Sequence, residues 1–453
     1  MIDLKQKLGL ESHPARLYTK LPDGDVICHL SHRNCRIKSG GAGFCRVRQN
    51  ENGELVTLNY GVSVEMTQEM IETEAVVHFA PGAPILSLGN IGCMLNCDFC
   101  HNWKTSQMKF VEKKDIYHYT PEQVVDTALS KGIGIISWTY NDPVVWHEFV
   151  CDTSRLAKKQ GLLTLYKSAF SIDPRAVEEL HDVIDIFSLS LKSMDPEFYR
   201  TVAKGSLEPV LEAIKQVHRF GDRHLEISNL IVTGRNDNLS EIDKVVHWIL
   251  KELDENVPLH LVRFHPDYKY TGVARTSIDF LKRARLRAKE LGLKHVYLGN
   301  VYEEHEGLNT HCGPCGALLV ERFGLQTKMP GLDERLRCRA CGAPSPIKAA
   351  SQTPAALAAD STASFEKTSR FEWHDDINAC HIVAENKTGR DDSFLCVQDE
   401  PAVSRTVRLK PGESWRFIAS KKSSRDTRVE IRHSERMSIT FREVLDRAHF
   451  PTE

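Results

Sequence analysis

Long apolar runs are missing from this 453-residue chain: none approaches the roughly 18 residues needed to cross a membrane. The opening segment, Met1 to His13, has no apolar signal core, so the expected location is the cytoplasm. Net charge is scarce too. The 59 Lys and Arg against 61 Asp and Glu leave only −2, without the overall basic footprint of nucleic-acid binders. Neither a membrane nor a nucleic acid is therefore an expected partner. No internal repeat stands out beyond alternating strand-like and helix-like segments.

Cysteine, by contrast, is plentiful. Ten of the thirteen fall in three local groups: Cys28, Cys35 and Cys45; Cys93, Cys97 and Cys100; and Cys312, Cys315, Cys338 and Cys341. In a reducing compartment such spacing points to metal binding rather than disulfides. Cys151, Cys380 and Cys396 stand alone and are expected to be packing residues.

From Pro84 to Val301 short Ile-, Leu- and Val-rich strands alternate with helical patterns. Thr120 to Gln123 has the form of a capping box with a first-turn proline; Asp173-Pro174 and Asp195-Pro196 repeat the cap and proline. Ile242, Val245, Val246, Ile249 and Leu250 make one helical stripe. The expected fold class is α/β: a partial or full (βα) TIM-like barrel, with an open doubly wound sheet as the alternative. Either would put chemistry at the C-terminal ends of the strands. Polar groups recur there, at Thr139 to Asp142, Lys167-Ser168, Ser190, Lys192, Asn229 and Arg263 to His265. The expected domains are a β-rich N-terminal region (1–83), the barrel (84–301), a four-cysteine ribbon (302–347), a linker (348–370) and a small antiparallel β domain (371–453).

Cys93, Cys97 and Cys100 follow the first barrel strand directly. Three thiolates on one loop can hold three corners of a 4Fe–4S cube and leave the fourth iron open to substrate or cofactor. The competing reading is a zinc knuckle closed by His101.

The C-x3-C-x2-C spacing, with Phe99 before the last cysteine, resembles the radical S-adenosylmethionine (SAM) superfamily. The segments at 28–61, 92–107, 139–143, 191–200, 207–217, 229–237, 263–269, 295–301 and 309–324 fall in the order found in the AmmeMemoRadiSam-system enzymes, which are similar to activating enzymes of glycyl-radical enzymes. The resemblance spans residues 15 to about 345. It implies a 4Fe–4S cluster on Cys93, Cys97 and Cys100, whose open iron chelates SAM. It implies reductive cleavage to a 5′-deoxyadenosyl radical that abstracts hydrogen from a protein, peptide or small molecule. It also implies an electron donor such as flavodoxin or ferredoxin. Phe99 would lie near the adenine, and Tyr140, Asn141 and Asp142 near the SAM amino group. Lys192 would face the SAM carboxylate, and Asn229 and Arg263 would line the pocket. Two positions depart from the family: Asp142 stands where Glu is usual, and Ser190 replaces the Asp of an Asp-x-Lys pair.

The two knuckles Cys312-x2-Cys315 and Cys338-x2-Cys341, each followed by glycine, suit an S4 zinc site or an auxiliary iron–sulfur cluster. The N-terminal group has Ser31 where the family carries a cysteine. His29 or His32 could complete a Cys3His site, or the three thiols are simply buried. A zinc-binding interaction module without redox chemistry is the alternative function. Within the radical reading, activation of a glycyl-radical enzyme and modification of a peptide or small molecule both stay open. Group transfer is weaker, for want of a cobalamin signature.

Overall fold

The computed structural model describes residues 4–301 and 306–349, together with the backbone of seven further strands between 367 and 444. The chain forms two compact units, one of residues 1–125 and 134–351, the other of 126–133 and 352–453.

The first unit is organised by one eight-stranded sheet. Its strands are β1 (Thr67–Met70), β2 (Pro84–Gly89), β3 (Ile135–Thr139), β4 (Leu163–Ser168), β5 (Ile186–Ser190), β6 (His224–Ile231), β7 (Leu259–Arg263) and β8 (Val296–Gly299). Their order in the sheet is their order in the chain. β2 to β8 are parallel and β1 runs antiparallel along β2. The sheet curls, since side chains from β3 through β8 line a single cavity. β1 and β8 are not hydrogen-bonded to each other, so the barrel is partial. Helices connect the parallel strands, as their crossovers require.

The caps act as the sequence suggests. Thr120 and Gln123 bond reciprocally, at 3.2 and 2.9 Å. The Asp173 carboxylate accepts from the Arg175 amide and the Asp195 carboxylate from the Glu197 amide, each at 2.9 Å. The helix Leu239–Glu252 is capped by Asn238 and buries Ile242, Val245, Val246 and Ile249, while Leu250 is half-buried.

One expected boundary moves. Residues 67–70 belong to the barrel sheet rather than to a separate N-terminal region. The segment Thr-Gln-Glu-Met does not look like a barrel strand, because an antiparallel edge strand leaves much of itself outside the core. The chain then turns inward. Ile71 and Val76 join Ile85, Ile135, Leu163, Leu165 and Ile186 in an apolar plug. Above the plug the interior is polar. Glu226 accepts from the amides of Val77 and His78, both at 2.9 Å, and from the rings of His224 (2.8 Å) and His260 (2.6 Å). Burial opposes that charge, but the two rings hold the Glu226 carboxyl well below the usual range.

Arg322 of the ribbon spans the seam near β8. Its guanidinium donates to the carbonyls of Val77 (2.6 Å) and Leu308 (2.9 Å) and to Thr310 Oγ1 (3.0 Å). The ribbon has its own small core of Cys312, Leu319, Val320, Leu332, Cys338 and Ile347.

In the second unit, strands 367–372, 392–398, 403–409 and 428–433 form one antiparallel sheet, and 379–386, 414–420 and 437–444 another. The first of these strands begins inside the expected linker, whose residues 350–366 lie outside the described residues. The side chains of Cys380 and Cys396 also lie outside them. Among the described residues no helix is long and apolar enough to cross a membrane.

Candidate functional site

β2 ends at Gly89 and delivers the chain into the loop Gly92–Cys100 at the C-terminal mouth of the barrel. Gly92 takes φ +84°, and a side chain there would meet the Cys45 carbonyl and Val47 at 2.9 Å. The loop is pinned from several sides. Asn96 and Asp98 amides donate to the carbonyls of Ala203 (3.2 Å) and Val202 (3.0 Å), and the Lys269 amide donates to Asp98 O at 2.9 Å. Arg33 donates from Nε to Met94 O at 2.6 Å while its guanidinium lies over Phe44.

Cys97 is buried; Cys93 and Cys100 are partly exposed. Cys93 Sγ accepts from the Leu95 amide at 3.3 Å, and Cys100 Sγ lies 3.4 Å from Ser106 Oγ. Burial pushes the Cys93 thiol well up and the Cys97 thiol up to about 11, the latter opposed by the nearby Lys192 ammonium. Among the described residues the three sulfurs do not close to within 4.8 Å of one another, with or without His101. His101 is engaged elsewhere, its Nε2 lying 2.7 Å from the His265 carbonyl. Three soft donors on one loop, with His101 engaged elsewhere, fit a 4Fe–4S cube with one iron left free.

The ribbon is the opposite case. Cys312, Cys315, Cys338 and Cys341 converge within 4.8 Å, with sulfurs 3.6 Å apart in the pairs Cys312–Cys341 and Cys315–Cys338. A tetrahedral ion with metal–sulfur bonds of about 2.3 Å has sulfur–sulfur edges of about 3.8 Å. The two knuckles are built alike: Gly316 N donates to Cys312 O (2.9 Å) and Gly342 N to Cys338 O (2.8 Å).

Cys28, Cys35 and Cys45 do not form such a group among the described residues. Cys28 and Cys35 face each other across an antiparallel pair, and Cys45 is buried, which pushes its thiol up to about 11. His29 is spent on Asn34 and Thr19, each at 2.9 Å, and His32 on Ser171. Cys151 is buried beside His147 and Glu179. Their geometry is that of a hydrogen-bonded set, with His147 Nε2 3.0 Å and Arg16 3.1 Å from the Glu179 carboxylate. A guanidinium at that carboxylate competes with any cation.

A cavity of about 470 Å³ runs from the mouth into the barrel, lined by His101, Asn102, Tyr140, Lys192 and Lys167 among others. Lys192 Nζ lies 5.8 Å from the centre of the Phe99 ring, and Phe99 itself is buried 6.0 Å from Phe198. Tyr140 adopts φ +62°, uncommon for a residue with a side chain. Its ring fits because residue 89 is glycine: a Cβ there would lie 2.7 Å from the ring. Burial raises the Tyr140 phenol, whose hydroxyl bonds Thr67.

Other expected site residues are tied into the scaffold. Asn141 donates to Asn90 O (2.6 Å) and accepts from Thr105 (2.9 Å). Asp142 accepts from Ser168 Oγ and the Ala169 amide, both at 2.8 Å, and from the Val144 amide at 3.1 Å. Burial raises its carboxyl against those bonds. Asn229 donates to Leu191 O (2.6 Å), Arg263 to Thr276 O (2.9 Å), and Ser190 meets Ser228 at 3.0 Å. The sequence did not mark Asn102, which donates to Tyr140 O at 2.6 Å and so joins the cysteine loop to the β3 turn. It did not mark Glu74 either, because nothing in a short 3-10 turn announces that its carboxylate enters a barrel.

The sequence profile of the radical SAM superfamily matches residues 90–249. An uncharacterized protein of Methanocaldococcus jannaschii is 40% identical over 329 residues, covering 72% of this chain and 97% of the relative. The pyruvate formate-lyase 1-activating enzyme of Escherichia coli strain K12 is 24% identical over 224 residues, 46% of this chain and 89% of its own. The benzylsuccinate synthase activating enzyme of Thauera aromatica is 21% identical over 262 residues, 53% of this chain and 77% of its own.

Proposed function

Because the chain belongs to the radical SAM superfamily, we propose that it is an enzyme of the AmmeMemoRadiSam type that cleaves SAM reductively at a 4Fe–4S cluster held by Cys93, Cys97 and Cys100. The observation that carries this reading is the loop of Cys93, Cys97 and Cys100 directly after β2, at the mouth of a cavity lined by Tyr140 and Lys192. When bound, the cluster supplies the electron that splits SAM into methionine and a 5′-deoxyadenosyl radical, which takes hydrogen from the substrate. The protein's own part is to orient and to exclude water. Lys192 offers an ammonium beside Phe99 for the methionine carboxylate, and Tyr140 supplies an apolar wall. Asn102, Asn141 and Asp142 hold the loops that carry these groups. An external donor such as flavodoxin or ferredoxin would provide the electron.

For the ribbon, the 3.6 Å sulfur spacing favours one tetrahedral ion, zinc being the simplest, over an auxiliary cluster. The named relatives activate pyruvate formate-lyase and benzylsuccinate synthase. A glycine on a partner enzyme is therefore one substrate class; a peptide or small molecule is another.

Anaerobic incubation with SAM and a strong reductant tests the reading. The wild-type protein should form 5′-deoxyadenosine and Cys97→Ala should form none. Product from both proteins would remove the triplet from the chemistry, and product from neither would remove the reaction.

A further inference from the structure

Lys167 sits on β4 and reaches the same cavity as Lys192. It pairs in register with Ser188 of β5, four residues before Lys192 in the chain, so it lies deeper in the barrel. Its Nζ donates to Ser188 Oγ (3.0 Å) and Ser228 Oγ (2.9 Å). Both hydroxyls pass their own bonding onward: Ser188 donates to Glu74 O at 2.5 Å, and Ser228 shares a bond with Ser190. The ammonium has three N–H groups, and these contacts use two.

No carboxylate among the described residues comes within ion-pair distance of Lys167. The nearby acids are committed elsewhere. Glu74 accepts from Thr139 Oγ1 (2.7 Å) and Ser137 Oγ (3.2 Å). Glu226 is saturated by two amides and two imidazoles. Lys192 adds a second cation facing the same space. Burial lowers the Lys167 pKa to about 8, against the pull of the Glu74 and Glu226 carboxylates, neither of which pairs with it directly. The spare donor faces a cavity large enough for a ligand.

We propose that Lys167 is the anchor for an anionic group of the substrate, a carboxylate or a phosphate, bound one layer below the SAM methionine moiety. Lys192 then serves the SAM carboxylate and Lys167 the substrate, and each cation gains a directly bonded anion in the ternary complex. The inference deepens the enzyme reading and rests on it for the position of SAM.

The test reads protection rather than turnover. The cluster-loaded protein, saturated with SAM and kept without reductant, is acetylated with an N-hydroxysuccinimide ester, and the rate at Lys167 is followed by peptide mass spectrometry. Millimolar succinate, inorganic phosphate or neutral succinamide is added at matched ionic strength. A several-fold slowing at Lys167 by succinate supports a carboxylate substrate, and slowing by phosphate a phosphate ester; succinamide should do nothing. Equal protection by succinamide, no protection by either anion, or complete protection by SAM alone overturns the assignment. The anions should also raise Tm for the wild type and not for Lys167→Gln. If that variant does not fold, the labelling rates of the wild type decide alone. A wild-type protein that cleaves SAM but leaves Lys167 unprotected sinks this inference and spares the enzyme reading. A protein that cannot cleave SAM sinks the enzyme reading, and anion protection of Lys167 then marks an anion site with no SAM above it.

Discussion

The two cysteine sites of the first unit are built on opposite plans. The ribbon brings four sulfurs together by local means, two matching knuckles each closed by its own glycine turn. The barrel loop carries three cysteines, and the groups that shape it come from far along the chain: Arg33, Val47, Ala203 and Lys269. A closed site needs only its own ligands to form, whereas an open one must be held open by its surroundings. Damage to the ribbon should therefore stay local. Damage to remote parts should reach the barrel loop.

The largest separation is expected from Cys338→Ser. That variant should lose the ribbon ion in metal analysis and lower Tm by roughly 5 °C or more, because a structural ion contributes folding energy directly. The visible iron–sulfur absorbance of the triplet should remain. Loss of both signals would mean that the two sites are one cooperative structure, and the contrast between them would fail.

Next comes the anchor beneath the N-terminal lobe. Arg48 follows Cys45 and Val47, the residues that crowd Gly92, and its guanidinium makes a paired contact with the Glu148 carboxylate at 2.9 and 3.0 Å. Both side chains are nearly inaccessible to solvent, at 2% and 3%. Removing one partner leaves the other charge buried, so Glu148→Gln should cost about 3–5 kcal/mol in urea unfolding. It should also lower iron occupancy of the triplet more than metal occupancy of the ribbon. The pair has a pH signature. Burial alone would raise the Glu148 carboxyl, but Arg48 and His147 bring it down to about 2. A depressed carboxyl stabilises the fold above its unfolded value, near 4.5, and that stability is lost as pH falls toward 2. The difference amounts to about 3 kcal/mol. Wild-type stability should fall over that window, and Glu148→Gln should show a shallower decline.

The same contrast explains what could be read from the sequence. Barrel strands, helix caps and the four ribbon cysteines follow local rules: apolar runs, Asp-Pro starts, paired knuckles. Cys93, Cys97 and Cys100 could be found because the three cysteines share one loop. Asp142 and Asn229 were legible as strand-end polar groups. That their hydrogen bonds close on Ala169 and Leu191 was not, since those partners are fixed by tertiary packing. The edge strand Thr67–Met70 was hidden because it carries no apolar period. Glu74 and Lys167 gain meaning only when a curled sheet sets β3, β4 and β5 around one space.

Glycines give the finest measure of local against remote support. Gly92, Gly316 and Gly342 all have positive φ, at +84°, +73° and +72°. Gly92 is also crowded, with the Cys45 carbonyl and Val47 2.9 Å from where a Cβ would stand, whereas the ribbon glycines have nothing within 4 Å. Gly92→Ala therefore carries both a backbone and a steric penalty, about 2–4 kcal/mol in total, and should displace the triplet loop enough to lower iron content. Gly316→Ala carries the backbone penalty alone, about 1–2 kcal/mol, and should keep its metal. Iron and zinc content measured beside urea midpoints for the two variants checks the difference. Equal losses would mean that the N-terminal lobe does not hold the barrel loop in place. A larger loss at Gly316 would mean that the ribbon turn, with no neighbour to crowd it, is the more constrained of the two.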